Sequence, residues 1–257
     1  MELASVPKVK YDGKLAIFTS FYSHMAYAPY VISLANTLGV LSALGIKHQY
    51  LARPSDFHIE RAVNNTLTEI LERDDFTDVL LIDSDESWEA EGVVRLLLHP
   101  DEIVGASYRM KNSWHRYVGD PKIDENGWHV GRVLADGTAL LAADRVAGGF
   151  MRIKVSALRK WAAAYPELVS HEPDGDKVQF FSRGLIDGEQ HCQDMMFCRR
   201  WLDIGGELWI DPNLKIGHWG MECHHGHLAE SLKEGGKTKA AFEAIKQMAA
   251  DIQARAA

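Results

Sequence analysis

Val79-Leu80-Leu81-Ile82-Asp83-Ser84-Asp85-Glu86-Ser87-Trp88 decides how the rest of the chain is read. Its first four residues form a continuous apolar run of the kind found in a strand buried on both faces. The run stops abruptly at Asp83, with further carboxylates at Asp85 and Glu86. In an open α/β sheet the loops diverge beyond the C-terminal ends of the strands and leave a crevice there, so charge placed at that end faces a ligand. Two oxygen donors one residue apart suit a hard divalent cation such as magnesium or manganese. The plainer reading is that Asp83 ends the strand while Ser84 or Asp85 caps the helix that follows.

The flanking sequence supplies the setting for a crevice. Upstream, Leu15–Thr19 reads as a short strand, and Val31–Leu44 as a helix with apolar residues at 31, 32, 35, 38 and 41. Lys47–Ala52 is a second strand and Ile59–Leu71 a second helix. Strand, helix, strand, helix implies a parallel sheet. Downstream, Glu89–Leu98 reads as a helix stopped by Pro100, and Ile103–Tyr108 as a strand. From Lys111 to Asp144 the pattern is irregular, with candidate antiparallel strands at Trp128–Leu134 and Ala139–Ala143 around an Asp136-Gly137 turn. Met151–Val155 is a strand and Ser156–Ala164 a helix. Ser170–Lys177 reads as a polar loop, Gln193–Leu202 as a helix, Glu207–Ile210 as a strand and Asp211–Gly220 as a loop. The tail from Leu228 suits a surface helix broken at Gly235-Gly236.

The 257 residues suffice for one large domain or two modest ones with a core that needs no disulfides. A formal charge of −8 argues against bulk electrostatic attraction to nucleic acid. No apolar run approaches the roughly 18 residues of a membrane span, and Met1–Lys14 lacks the apolar stretch of a signal peptide, so a cytoplasmic location is expected. Cys192, Cys198 and Cys223 have no paired spacing and read as reduced thiols.

Three segments, in order, resemble the GT-A glycosyltransferases. The first is VLLIDSDESW at 79–88, similar to that family's D-x-D strand end. The second, Cys192-Gln193-Asp194-Met195-Met196-Phe197-Cys198-Arg199-Arg200, is similar to the acidic E-D-x-x-F-C-x-R helix start, with Gln193 in place of the first acid. The third, Asp211-Pro212-Asn213-Leu214-Lys215-Ile216-Gly217-His218-Trp219-Gly220, is similar to the D-P-x-x-x-x-G-H-x-G segment. The resemblance spans Leu15 to Gly220. It implies an α/β GT-A fold: a mixed, mainly parallel sheet flanked by helices, with a smaller α+β acceptor side. The corresponding division is a nucleotide-sugar half over about 1–110, an acceptor and catalytic half over about 111–227, and a helical tail at 228–257.

The implied activity is metal-dependent transfer of a sugar from a nucleoside-diphosphate sugar, with UDP or GDP as the nucleotide, to an acceptor hydroxyl. Asp83, Asp85 and His218 would hold Mn2+ or Mg2+, and Asp194 would serve as general base or, in a retaining transfer, position the acceptor. Asp194 reads equally as a carboxylate satisfying free N–H groups at a helix start, and His218 as a hydrogen-bonded loop histidine. The resemblance points to Thr19, Ser20, Tyr22, Ser84, Arg53, Arg61 and Asn65 for the nucleotide, where helix caps and solvated faces are the alternatives. It points to Gly148, Gly149 and Trp114 for the acceptor, with His115 and Trp128 nearby in character. Glu222–His227 offers soft ligands at a spacing that fits no standard zinc site and reads instead as a loop closing over the donor. A glycan or small-molecule acceptor is favoured over nucleic acid, although the basic and aromatic stretch Tyr108–Tyr117 could meet a polyanion. Three other readings stand beside transfer: a nucleotidyltransferase acting on sugar phosphates, glycoside hydrolysis by Asp85 and Asp194, which leaves His218 unexplained, and a sugar-binding module without catalysis. Leu15–Tyr30 has no glycine, which weighs against the nucleotidyltransferase.

Overall fold

The computed structural model describes residues 10–21, 24–54, 58–111, 116–135, 137–220 and 223–234. The N-terminal alternation is as the apolar pattern predicts: β1 (Lys14–Phe21), α1 (Ala28–Ala43), β2 (Lys47–Pro54), α2 (Ile59–Glu72) and β3 (Asp78–Ile82). There follow β4 (Glu86–Trp88), α3 (Ala90–Leu98), β5 (Ile103–Ala106), β6 (Asp120–Pro121), β7 (Gly131–Val133), β8 (Ala139–Arg145), β9 (Phe150–Lys154) and α4 (Val155–Ala164). The remainder comprises β10 (Val169–Glu172), β11 (Gly175–Val178), β12 (Gly184–Ile186), β13 (Glu189–His191), α5 (Gln193–Asp203), β14 (Trp209–Asp211), β15 (Ile216–Trp219), β16 (Cys223–His224) and α6 (Leu228–Glu234).

The fold is α/β. Its main sheet runs β2-β1-β3-β9-β5-β14-β8-β6, with β7 also pairing β8. Strands β2, β1, β3, β5 and β14 point the same way, while β9 and β8 oppose them. Alternate residues of the central strands feed two cores. Ala16, Phe18, Val79 and Leu81 pack with Leu67 and Ile70 of α2, Trp161 of α4 and Phe197 and Trp201 of α5. Leu15, Ile17, Leu80 and Ile82 pack with Tyr30 and Leu41 of α1 and Val93 and Leu96 of α3. Burial on both faces is why these strands read as unbroken apolar runs. Among the described residues no helix is long and apolar enough to cross a membrane.

The buried stripe of α1 is only in part the one its apolar residues suggest: Leu38 and Leu41 pack on the core as expected. Val31 and Ile32 are exposed, whereas Tyr30, Ser33, Thr37 and Leu41 face the sheet. The two hydroxyls are there to satisfy Trp88: Ser33 Oγ accepts its backbone N–H at 3.0 Å and Thr37 Oγ1 its indole N–H at 2.8 Å.

Several segments expected as loops are extended. Ser170–Lys177 forms the β10–β11 hairpin, whose polar residues bury little and so show no apolar alternation. Asp211–Gly220 holds β15, a strand too short for any period to be visible. The β12–β13 hairpin was not anticipated, although its Asp187-Gly188 pair is a hairpin signal; with φ of 51° and 85°, both residues take the positive φ that a tight hairpin turn demands. The strand expected over Trp128–Leu134 is limited to Gly131–Val133, with His129 joined to Ile123 by an isolated bridge. Asp136 of the expected turn and the tail beyond Glu234 lie outside the described residues.

Asp211, wholly buried at the end of β14, is held by both nitrogens of an Arg95 fork at 2.6 and 2.7 Å, by His99 Nε2 at 3.3 Å and by the Asn213 N–H at 3.0 Å. Burial alone would raise its pKa; the His99, Arg95 and Asn213 partners outweigh it and hold the carboxyl below its ordinary range. A depressed folded-state pKa contributes stability that is present above about pH 4 and lost as pH falls through the folded value. Asp211→Asn is expected to lose about 2–4 kcal/mol at pH 7. In denaturant melts its deficit relative to wild type should shrink as pH falls below about 4 toward the depressed value at which the folded carboxyl protonates.

Candidate active site

A three-stranded sheet, β16-β15-β4, brings the carboxylate stretch to the Gly-His-Trp segment. Its register sets Ile216 opposite Trp88, Gly217 opposite Ser87 and His218 opposite Glu86, and the Trp219 N–H donates to the Asp85 carbonyl at 2.7 Å. Two pieces of chain more than a hundred residues apart are thereby hydrogen-bonded neighbours. His218 Nε2 lies 3.9 Å from Asp85 Oδ2. The other ring nitrogen, Nδ1, donates to the Arg109 carbonyl at 2.8 Å, and the ring stands edge-on to Tyr108 with centroids 4.9 Å apart. That backbone bond fixes the tautomer, so Nε2 keeps its lone pair turned toward Asp85, the arrangement by which metal-binding histidines are oriented. Burial keeps His218 below the ordinary imidazole range. Lys111 and His224 push the same way, and the Arg109 carbonyl and Asp85 oppose it.

Asp83 is placed from the main sheet. It follows β3, and its N–H donates to the Gly149 carbonyl at 2.9 Å at the entry to β9. A Cβ at Gly149 would lie 2.4 Å from the Tyr108 hydroxyl and 2.6 Å from both Asp83 Oδ2 and Glu86 Oε1. Three oxygens thus converge on a spot that stays open because residue 149 has no side chain. Burial raises Asp83 to about 7, reinforced by the charges of Asp85 and Asp194 and opposed by Lys111. Glu86 is fully buried, and burial followed by Asp83 and Asp85 drives its pKa well above normal. The Tyr108 hydroxyl lies close enough to oppose that rise, yet neither Glu86 oxygen has a hydrogen-bond partner of proper geometry.

Asp194 enters from the other side. It sits in the first turn of α5, where Oδ1 accepts the Met195 N–H at 2.9 Å and the Cys192 thiol at 2.7 Å. Asp194, Gln193, Asp83, Tyr108, Gly148, Gly149, Ser20 and Phe181 line one cleft of about 120 Å3 at the C-terminal ends of β1 and β3. A Cβ at Gly148 would stand 3.3 Å from that of Asp194.

The remaining expected residues are scattered around this cleft. Ser20 lines it, while Thr19 points inward and shares a 2.6 Å hydrogen bond with Tyr30, whose hydroxyl is 3.0 Å from that of Tyr50. The Ser84 carbonyl accepts the Tyr27 N–H at 3.2 Å. Arg53 is tied to α2, donating to Thr66 at 3.1 Å and pairing with Glu69. Arg61 and Asn65 line a separate cleft, with Ser170, Gln179 and Arg183, that shares Ile59 with the first. Tyr22, Trp114 and His115 lie outside the described residues, as does Glu222. Of the Glu222–His227 cluster, Cys223 and His224 form β16, His225 Nδ1 is 3.4 Å from Cys223 Sγ, and His227 pairs with Glu230 at 2.6 Å.

Among the described residues no three His, Cys, Asp or Glu side chains are drawn in closely enough to enclose a metal. The donor set nevertheless suits a hard divalent ion. Asp85 and a lone-pair-bearing imidazole nitrogen face each other, Asp83 stands two residues before Asp85, and Glu86 is an orphaned carboxyl group beside them. Glu86, Tyr108 and the Arg109 carbonyl were not singled out from sequence. Glu86 had a visible signal, since it continues the acidic run; the other two depend on a strand crossing that the sequence does not display.

No protein-family model matches the chain, and no curated protein matches it in sequence. Solved structures of general likeness include A197 from STIV, 15% identical with a TM-score of 0.47, covering 80% of this chain and 86% of that one. Another is the catalytic domain of Drosophila beta1,4galactosyltransferase 7 in complex with xylobiose, 13% identical with a TM-score of 0.46, covering 84% and 71%. A third is GalNAc-T7 with UDP, GalNAc and Mn2+, 11% identical with a TM-score of 0.40, covering 80% and 43%. At such scores nothing about the site's chemistry rests on the likeness.

The raised pKa of Asp83 has a consequence for stability. The folded state holds a proton that the unfolded chain has released, so metal-free protein loses stability as pH rises from about 4 to about 7. Asp83→Asn removes that penalty. Its melting temperature without metal should match wild type near pH 4 and exceed it at pH 8. Gly149→Ala, by contrast, should lower the melting temperature at both pH values, because the methyl group collides with three oxygens.

Proposed function

We propose that this chain is a metal-dependent glycosyltransferase of the GT-A type, moving a sugar from a nucleoside-diphosphate sugar to an acceptor hydroxyl. The observation that carries the reading is the 3.9 Å approach of His218 Nε2 to Asp85 Oδ2, with the imidazole's other nitrogen committed to a backbone carbonyl. A structural histidine has no need to present a free lone pair to a carboxylate at a strand end. Of the three sequence resemblances, 79–88 pairs with 211–220 through β4 and β15 and shares a cleft with 192–200 through Asp83 and Asp194, which supports the same reading.

Asp83, Asp85 and His218 would hold the ion, with Glu86 buried behind them as a further oxygen ligand that would have to release its proton to bind. A divalent cation there supplies charge stabilisation to the diphosphate as the sugar departs. The chain's own groups do the rest. Ser20 and Phe181 bound the cleft in which the transferred sugar would sit, and the side-chain-free edge at Gly148-Gly149 lets an acceptor approach closely. Asp194, on the facing wall, would take the proton from the acceptor oxygen as that oxygen attacks the anomeric carbon. The Met195 N–H and Cys192 thiol hold one of its oxygens and leave the other for the proton. A glycan or small-molecule hydroxyl is the preferred acceptor.

A thermal-shift panel of UDP, GDP and other nucleoside diphosphates, with and without manganese, tests the donor class. One diphosphate should raise the melting temperature only when manganese is present. Absence of any metal-dependent shift across the panel would sink the proposal. With the donor known, Asp85→Asn and His218→Ala should each abolish the shift. Asp194→Asn should keep it and lower kcat by about a hundredfold or more.

A further inference from the structure

The acidic site already has a cation: Lys111. Its ammonium is paired with Asp85, and it stands 6.0 Å from the centroid of the Tyr27 ring. The same ammonium is felt by Asp83, Glu86 and His218, so it lies within electrostatic reach of the whole candidate ligand set. It reaches there from the segment that follows β5, two residues beyond the Arg109 carbonyl that orients His218. Lys111 and Asp85 are both partly exposed, at 30% and 29%, so the pair can open without dismantling the fold.

A divalent ion bound by Asp85 would meet a fixed positive charge at the oxygen it needs. The two cations cannot share that carboxylate oxygen, and like charges a few ångströms apart repel. Lysine has four rotatable bonds, and the ammonium is a compact donor well suited to phosphate oxygens.

Building on the glycosyltransferase reading, we infer that Lys111 is a diphosphate-binding residue of the donor site, and that in the metal-free protein it rests on Asp85, where it competes with the divalent cation. Loading the ion frees the ammonium, which then pairs with an oxygen of the donor's diphosphate. The site thereby avoids an uncompensated acidic cluster when empty and gains a second positive charge for the leaving group when filled.

Two binding measurements on the full chain separate the parts of this inference. Manganese alone, titrated by electron paramagnetic resonance of the free ion, should bind Lys111→Met about tenfold more tightly than wild type, since a competing charge has been removed. Inorganic pyrophosphate, titrated at saturating magnesium, should bind Lys111→Met about tenfold more weakly, and Lys111→Arg should recover most of the loss. Unchanged or weaker manganese binding in Lys111→Met overturns the competition. Unchanged pyrophosphate binding overturns the diphosphate role. If wild type and variant alike bind neither manganese nor magnesium pyrophosphate, it is the glycosyltransferase reading beneath the inference that fails. A Lys111→Met melting temperature close to that of wild type, both without metal, certifies that the variant still folds.

Discussion

The pairing of β4 with β15 is the constraint on which the site depends. Each strand is only three or four residues long, and neither belongs to the main sheet. Their few hydrogen bonds gain permanence from what flanks them. Trp88, at the end of β4, is clamped by two hydroxyls of α1 and packs against Tyr30 and Phe150 at ring-centroid distances of 5.5 Å. Asp211, just upstream of β15, is anchored by Arg95 of α3 and by His99, the residue that ends that helix. Because strand residues alternate in direction, a slip of one position would exchange His218 for Gly217 on the face that meets Asp85. The two anchors, one for each strand, leave little room for that slip.

The cost of the arrangement is electrostatic. Asp83, Asp85, Glu86 and Asp194 gather in a partly desolvated cleft, and two of them are held well above the ordinary carboxylate range. A protein optimised only for folding would replace Glu86 with glutamine or an apolar residue, since a buried charge without partners is among the costliest things a core can hold. Keeping the cluster is understandable if a cation completes it. The same logic explains why Asp211, equally buried but fully partnered, has its pKa moved the other way.

Much of the fold was legible because buried parallel strands and amphipathic helices write their periods into sequence. Val79–Ile82 and Ile59–Leu71 could be placed within a residue or two. The failures share a cause. In α1 the apolar residues Val31 and Ile32 misled, because the buried face carries hydroxyls serving Trp88. The β10–β11 hairpin and β15 have no buried alternating face, so nothing in their composition distinguishes them from loop. For the site, Asp83, Asp85, Asp194 and His218 stood out as chemically apt residues in suggestive order. The parts contributed by folding alone were not visible: the Arg109 carbonyl behind His218, Tyr108 beside Glu86, and Lys111 on Asp85.

Gly148 and Gly149 look interchangeable on paper and are opposites in space. At 149 any side chain would drive into the carboxylate oxygens and the tyrosine hydroxyl, so that position offers no latitude to evolution or to an engineer. At 148 the nearest neighbours of an added methyl are Asp194 at 3.3 Å and Phe181 at 3.8 Å, both on the cleft wall. Residue 148 is therefore the position at which an added methyl would narrow the cleft, while its neighbour has to remain bare.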